Sequence, residues 1–322
     1  NRGKYTMVIN PKDVQRISSH LVGLHKDLST RPPSPKYPIS SLPHFNRKAW
    51  GLQCGKVTVI AGRTSSGKSA LSEGFALDLA ENGVPTLFLS LEMDVASLTE
   101  RAFCRTMQVD NYSLLTGQFK FQKEIQDKWK IFTESMAKLP LLITCEIGKT
   151  FKEVNQIVEA LDPTPKAVFV DYIGAIAFKD RQSREMMNEY IRQFKELAIK
   201  KDFIGVLCSQ INRQGAVAGE EPQLHQLKET GNLEETASVV FLIHNPYIMT
   251  HNEEDRGKAT IIIAKNRNGN TGRHKVKFVP QFYRFEELDT EEKQDEIFDD
   301  RGLLNAPETR DVTKMFGGSV VK

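Results

Sequence analysis

The stretch AGRTSSGKSAL, residues 61–71, directly follows the apolar run VTVI (57–60) and opens a helical pattern. A turn from Gly62 to Gly67, through Ser65 and Ser66, can aim successive backbone N–H groups inward. Lys68 then reaches the terminal phosphates of a nucleotide and Ser69 holds Mg²⁺. An ordinary Gly/Ser turn is the competing reading, but its place between an apolar strand and a helix argues for a nucleoside triphosphate site. The loop alone fixes binding and leaves the reaction open, because kinases, GTPases, transporters and motors share it.

The rest of the chain narrows the choice. Short apolar runs, TLFLSLE (86–92), PLLIT (140–144), AVFVD (167–171), FIGVLCSQ (203–210), VVFLI (239–243) and TIIIA (260–264), alternate with helical patterns that include 70–81 and 184–200. Continuous runs of this kind mark strands buried on both faces, so the expected fold is α/β, with a mostly parallel central sheet flanked by helices. KVKFV (275–279) and FYRFEEL (282–288) read as short strands joined by a turn, an antiparallel edge.

Ahead of this core, Asn10 and Pro11 can start a helix whose residues Val14, Ile17, Leu21, Leu24 and Leu28 form one apolar stripe. TRPPSPKYP (30–38) breaks that helix and reads as an extended linker. The stripe must dock either on its own domain or on an adjacent subunit. Beyond Leu288 the sequence is acidic and without a strong period. The expected organisation is therefore an N-terminal arm over 1–38, an ATPase core over 39–288 and a loosely ordered tail over 289–322.

With 322 residues and 39% hydrophobic content the chain can bury one large core. A net charge of +3 neither demands nor excludes nucleic acid, since binding depends on where charges cluster. Cys54, Cys104, Cys145 and Cys208 lie far apart without a CxxC pair, against a disulfide framework or zinc site, and all four are expected in the core. No apolar stretch approaches the roughly 18 residues that span a bilayer, and a cytoplasmic location is expected. The chain begins with Asn1 and not Met, so a segment upstream is expected.

Hydrolysis at the 62–69 loop needs further groups, and each has a candidate at the end of a strand, where ligands collect in open parallel sheets. Asp171 ends AVFVD, placed to support a metal ion, with strand-end capping as the alternative. Glu92 ends TLFLSLE, as a base or as a helix N-terminal acid. Gln210 ends FIGVLCSQ, where its amide can donate to a γ-phosphate and accept from water. Lys265 and Arg267 stand in AKNRNGNTG, as cations for nucleic acid, for a neighbour's nucleotide, or as a solvated basic turn.

In order and spelling, GRTSSGKS, FLSLEM with Arg101 downstream, VFVDYIGAI, CSQINR, QLKETGNLEETA and IAKNRNGNTG go beyond what these residues suggest singly. From about Ile39 to Leu288 the chain resembles the C-terminal ATPase domain of DnaB-type replicative helicases, a branch of the RecA-like P-loop ATPases. The resemblance implies ATP and Mg²⁺ as cofactors, with Lys68 and Ser69 on phosphates and metal, Glu92 as general base, Asp171 supporting the metal and Gln210 sensing the γ-phosphate. It places Lys265 and Arg267 in trans at the neighbouring subunit's ATP. It also implies a homo-oligomeric ring, usually hexameric, moving 5′-to-3′ on single-stranded DNA, with Lys228, Glu229 and Gly231 at the DNA backbone and a primase or loader as partner. Arg213 is a further candidate for the same channel. The 10–29 helix matches the family's linker helix, which favours docking on the next subunit.

Two departures stand out. The family usually has Asp-Leu-Arg where this chain has Gln226-Leu227-Lys228, and Ala-Asp where it has Ala237-Ser238. Lys keeps the charge of Arg without its planar fork. The family's N-terminal domain is not within these residues, which leaves a removed domain or a reduced phage or mobile-element form open. A RecA- or RadA-like recombinase filament and a nucleotide-switched loader or scaffold are the rival readings.

Overall fold

The computed structural model describes residues 29–30, 36–175, 183–211, 220–230 and 233–288. The helix expected over 10–29 lies outside them except for Ser29, and the expected tail lies outside altogether.

One nine-stranded sheet organises the chain, in the order β3-β2-β4-β5-β1-β6-β7-β8-β9. Its strands are β1 (Val57–Gly62), β2 (Thr86–Ser90), β3 (Leu141–Cys145), β4 (Ala167–Asp171), β5 (Ile204–Gln210), β6 (Val239–His244), β7 (Lys258–Asn266), β8 (Gly272–Val279) and β9 (Arg284–Glu287). Every apolar run expected as a strand forms one of them. The first six pair in parallel, because helices carry the chain back between them. In chain order these are α1 (Pro43–Ala49), α2 (Lys68–Glu81), α3 (Val95–Met107), α4 (Asn111–Leu115), α5 (Lys123–Met136), α6 (Phe151–Ala160), α7 (Ser183–Lys201), α8 (Leu233–Thr236) and α9 (Tyr247–Thr250). No described helix is long and apolar enough to cross a membrane.

β7 departs from the expectation of a parallel strand. It pairs antiparallel with both β6 and β8. The β6–β7 connection is only residues 245–257, holding the single-turn α9 and a 3₁₀ turn, too short to recross the sheet as the longer β5–β6 connection does, so the chain turns straight back. Ala259, Ile261 and Ile263 are buried and alternate with more exposed neighbours, a two-residue period that three consecutive isoleucines hide in the sequence.

Each face of the sheet has its own core. Phe45, Leu71, Phe75, Phe169 and Phe241 pack on the α1–α2 face, and Val154, Val158, Ile191, Phe194 and Leu207 on the α6–α7 face. A third cluster, Phe103, Val109, Ile125 and Phe132 against Leu77, seats the α3–α5 insertion on α2. Cys104 and Cys208 are buried, whereas Cys54 and Cys145 are only half-buried, a correction to their expected place in the core. Cys145 sits on edge strand β3, where the sheet ends and one flank has no strand to cover it.

Candidate functional site: a phosphate loop and the strand ends around it

Backbone geometry shapes the loop between β1 and α2. Ser65 (φ 64°) and Gly67 (φ 97°) both take the left-handed region, which turns the intervening amides toward one side. At Gly67 a Cβ would stand 2.7 Å from the Phe285 ring, and at Gly62 one would stand 2.4 Å from Ser66 Oγ, so neither position has room for a side chain. No side chain caps α2, which leaves its first amides for an incoming anion.

Lys68 is buried and its Nζ donates to the Arg63 carbonyl across the loop at 3.1 Å. Burial holds its ammonium below the ordinary lysine range, against the pull of Asp171 and Glu92 among others. A charge so poorly solvated is primed for an anionic partner. Asp171, at the end of β4, is 5% exposed. Burial raises its pKa, opposed by a hydrogen bond with Ser69 and by Lys68.

Asp171 Oδ1 and Ser66 Oγ are buried without a partner. An orphaned carboxylate oxygen next to the Ser69 hydroxyl fits a hard divalent cation that takes few protein ligands and completes its shell with phosphate and water. The described residues hold no group of three or more His, Cys, Asp or Glu able to enclose a metal, and Mg²⁺ needs none.

Strand register assembles the remaining groups. β1 and β5 pair Gly62 with Gln210, and the Ile211 amide donates to the Gly62 carbonyl at 3.1 Å, which sets Gln210 beside the loop. Tyr172 shares a hydrogen bond with the Gln210 side chain. β2 ends at Ser90, two residues before the expected end, and the Leu91 amide donates to the Asp171 carbonyl at 2.7 Å. Glu92 therefore sits in a turn, exposed to the cleft. Asp94, not Glu92, caps α3 by accepting from the Ser97 amide, which removes the capping role as an account of Glu92.

Ser65, Gly67, Lys68, Ser69, Glu92 and Gln210 line one cleft of about 410 Å³. A second cleft of about 460 Å³, lined in part by Tyr247, Phe278 and Pro280, shares Ser65 with it.

Arg101, Asn111 and Tyr283 line the cleft's far wall, and of these only Arg101 stands beside a motif of the sequence. Arg101 stacks on the Tyr283 ring, 4.4 Å from its centroid, and its Nε hydrogen-bonds Glu73 Oε2 at 3.0 Å. Asn111 Nδ2 donates to the Tyr283 hydroxyl at 2.9 Å. Glu73 is buried on α2, and burial pushes its pKa up to about 7 against the opposing pull of Arg101. Arg101 belongs to the FLSLEM neighbourhood of the sequence, but no spacing ties it to Glu73 or Tyr283.

Lys265 and Arg267 do not reach this cleft. Val239 pairs with both Thr58 and Asn266, so the end of β7 lies beside the start of β1. The Thr58-to-Gly62 span, about 13 Å of strand, separates them from the loop. Lys265 Nζ donates to the Glu234 carbonyl, and Arg267 Nη2 to the Glu235 carbonyl at 2.6 Å. Among the DNA candidates, Lys228 and Glu229 fall in the 3₁₀ turn Leu224–Thr230, which packs against α8, while Gly231 and Arg213 lie outside the described residues.

Comparison with known proteins agrees with this layout. Residues 39–287 match the family model described as DnaB-like helicase C terminal domain. The replicative DNA helicase DnaB of Haemophilus influenzae is 32% identical over 256 residues, which cover 76% of this chain and 54% of that protein. The replicative DNA helicase DnaC of Bacillus subtilis is 25% identical, over 80% of this chain and 57% of that protein. The chain thus spans about half the length of these relatives. A DnaB-like replicative helicase, solved in a study of its interactions with primase, superposes with a TM-score of 0.76 at 21% identity, over 86% of this chain and 68% of that one. The match over residues 39–287 takes in the phosphate loop and all nine strands, and this chain belongs to the DnaB-like helicase C-terminal domain family.

Proposed function

We propose that the chain is the motor of a ring-shaped replicative helicase, in which ATP hydrolysis between subunits drives 5′-to-3′ movement on single-stranded DNA and separation of the duplex. The observation that carries this reading is the separation of its charges. Lys68, Asp171, Glu92 and Gln210 gather at one end of the sheet, and Lys265 and Arg267 stand at the other, out of reach of their own cleft. Cations placed so can serve hydrolysis only at a second subunit's nucleotide, and a closed ring gives every subunit such a neighbour.

Within the cleft Lys68 and the 62–67 amides hold the phosphates, and Ser69 with Asp171 holds Mg²⁺, which neutralises charge on the phosphoryl oxygens when bound. Glu92 orients and deprotonates the attacking water, and Gln210 contacts the γ-phosphate. The adjoining cleft beside Ser65 has apolar walls suited to the nucleoside. Lys228, Glu229, Gly231 and Arg213 face the DNA backbone, which a motor must grip without reading bases. Residues 39–288 act as the ATPase unit, and the 1–38 arm docks on the next subunit to hold a six-membered ring. A primase or loader is the expected partner.

Strand separation on forked duplexes bearing either a 5′ or a 3′ single-stranded tail tests the proposal. ATP-dependent unwinding from the 5′ tail, with DNA-stimulated hydrolysis, is the expected result. Hydrolysis indifferent to DNA would overturn the motor in favour of a loader or scaffold, and filaments on DNA under the electron microscope would favour a recombinase.

A further inference from the structure

The resting partners of Lys265 and Arg267 point beyond catalysis. β7 carries a register irregularity opposite Val240 and Phe241, which pair with Lys265 and Ile263 and leave Ala264 as the extra residue. Such a bulge re-aims the side chain beyond it. Ile261 and Ile263 pack on the α1–α2 face, and Ile262 and Ala264 on the α6–α7 face. Strict alternation would send Lys265 after Ile263. With the bulge its Nζ instead meets the Glu234 carbonyl of α8.

Arg267 continues the seam: its side chain binds the Glu235 carbonyl and its amide donates to the Ser238 carbonyl at 3.0 Å. α8 is a single turn, closed by the Ala237 amide donating to the Leu233 carbonyl at 3.0 Å. The next two carbonyls, of Glu234 and Glu235, receive the two cations. Among the described residues neither cation has a carboxylate within ion-pair distance, so two full charges rest on neutral acceptors.

We propose that Lys265 and Arg267 are a releasable tether of α8 and, through its packing, of the turn Leu224–Thr230. It holds the segment while the cations lack an anion, and lets it move when a phosphate of the neighbouring subunit's nucleotide takes them. This rests on the reading that the pair serves a neighbour's ATP. A phosphate oxygen adds a charge–charge attraction to the hydrogen bond that a neutral carbonyl cannot offer, so the two acceptors compete unequally. Losing both cations strips the carbonyls of α8, which packs against the turn that bears Lys228 and Glu229. The state of the nucleotide is then read out on the DNA-facing segment by an exchange of hydrogen-bond partners.

Hydrogen–deuterium exchange by mass spectrometry on the full chain tests this. Without nucleotide, Lys265→Ala and Arg267→Ala should each speed exchange of peptides covering 224–238 by roughly two- to tenfold, as expected for one lost bond. Exchange in α2 should stay unchanged, which shows that the variants fold. Arg267→Lys should restore most of the protection. In assembled wild-type protein a non-hydrolysable ATP analogue should produce the same acceleration, and Arg267→Ala should show no further rise. Unchanged exchange in the alanine variants, or an analogue that slows exchange over 224–238 in the wild type, would overturn the tether. DNA-stimulated hydrolysis by the wild-type sample separates the outcomes: present with unchanged exchange, it rejects the tether alone, and absent, it rejects the motor reading beneath it.

Discussion

Two carboxylates near the phosphate loop do opposite work because their surroundings differ. Glu92 is exposed in the cleft, where the proposed mechanism has it activate water. Glu92→Gln keeps the shape and removes the base, so it should bind ATP normally and hydrolyse it about 10²–10⁴-fold more slowly. Single-turnover hydrolysis beside a fluorescent-analogue binding assay checks this, and near-normal turnover would reject the base assignment. Glu73 is buried on the same helix as Lys68, and burial raises its pKa from the ordinary 4.5 to about 7. Between those values the unfolded chain releases the proton while the folded chain keeps it, so this group's stabilising contribution is full below about 4.5 and fades as pH rises toward 7. Glu73→Gln stays neutral throughout. Its melting temperature relative to wild type should climb by several degrees across that interval, and a constant offset would show that Glu73 does not titrate there. Gly62, Gly67, Lys68, Ser69 and Asp171 were legible because fixed local spacing and strand ends announce them. Glu73 was not, since its partner Arg101 is 28 positions away and only the α2–α3 packing brings them together.

Elements at the two ends of the described core hold each other. Glu287 closes β9, and its Oε1 accepts from the His44 and Phe45 amides at 2.9 and 3.0 Å, at the start of α1. Its Oε2 lies 2.7 Å from Nε2 of His274, whose side chain is fully buried. Burial pushes the Glu287 carboxyl up, but the bonds from His274, Phe45 and His44 outweigh it and hold it below the ordinary range. Glu287→Ala should therefore cost about 2–3 kcal/mol, since it strands a buried imidazole and two amides at once. Urea unfolding would measure it, and a loss within about 0.5 kcal/mol would mean that solvent replaces the carboxylate. At this scale the sequence was informative about strands and weak about their direction. Apolar runs announce burial, and β7 was misjudged because direction depends on the connection before a strand. Its bulge was illegible too, because a bulge exists only against the register of β6.

The described core is polarised, with the groups proposed to bind phosphate at the C-terminal ends of the parallel strands and the Lys265–Arg267 pair at the opposite end. On the proposed reading, function is a property of an interface, and mixing experiments expose it. If every interface needs an arginine from its neighbour, Arg267→Ala subunits should poison assemblies that also contain wild-type chains. For a six-membered ring that tolerates no dead interface, an equal mixture should retain about 2% of wild-type unwinding, against about 50% if each subunit works alone. The measurement is unwinding rate against variant fraction, with assembly size tracked in parallel so that dissociation is not mistaken for poisoning. A steep, convex loss that sags below the straight line would place Arg267 at the neighbour's nucleotide. A straight line would return it to its own subunit, where a position beyond the length of β1 from the loop leaves it structural work on α8 and none on ATP.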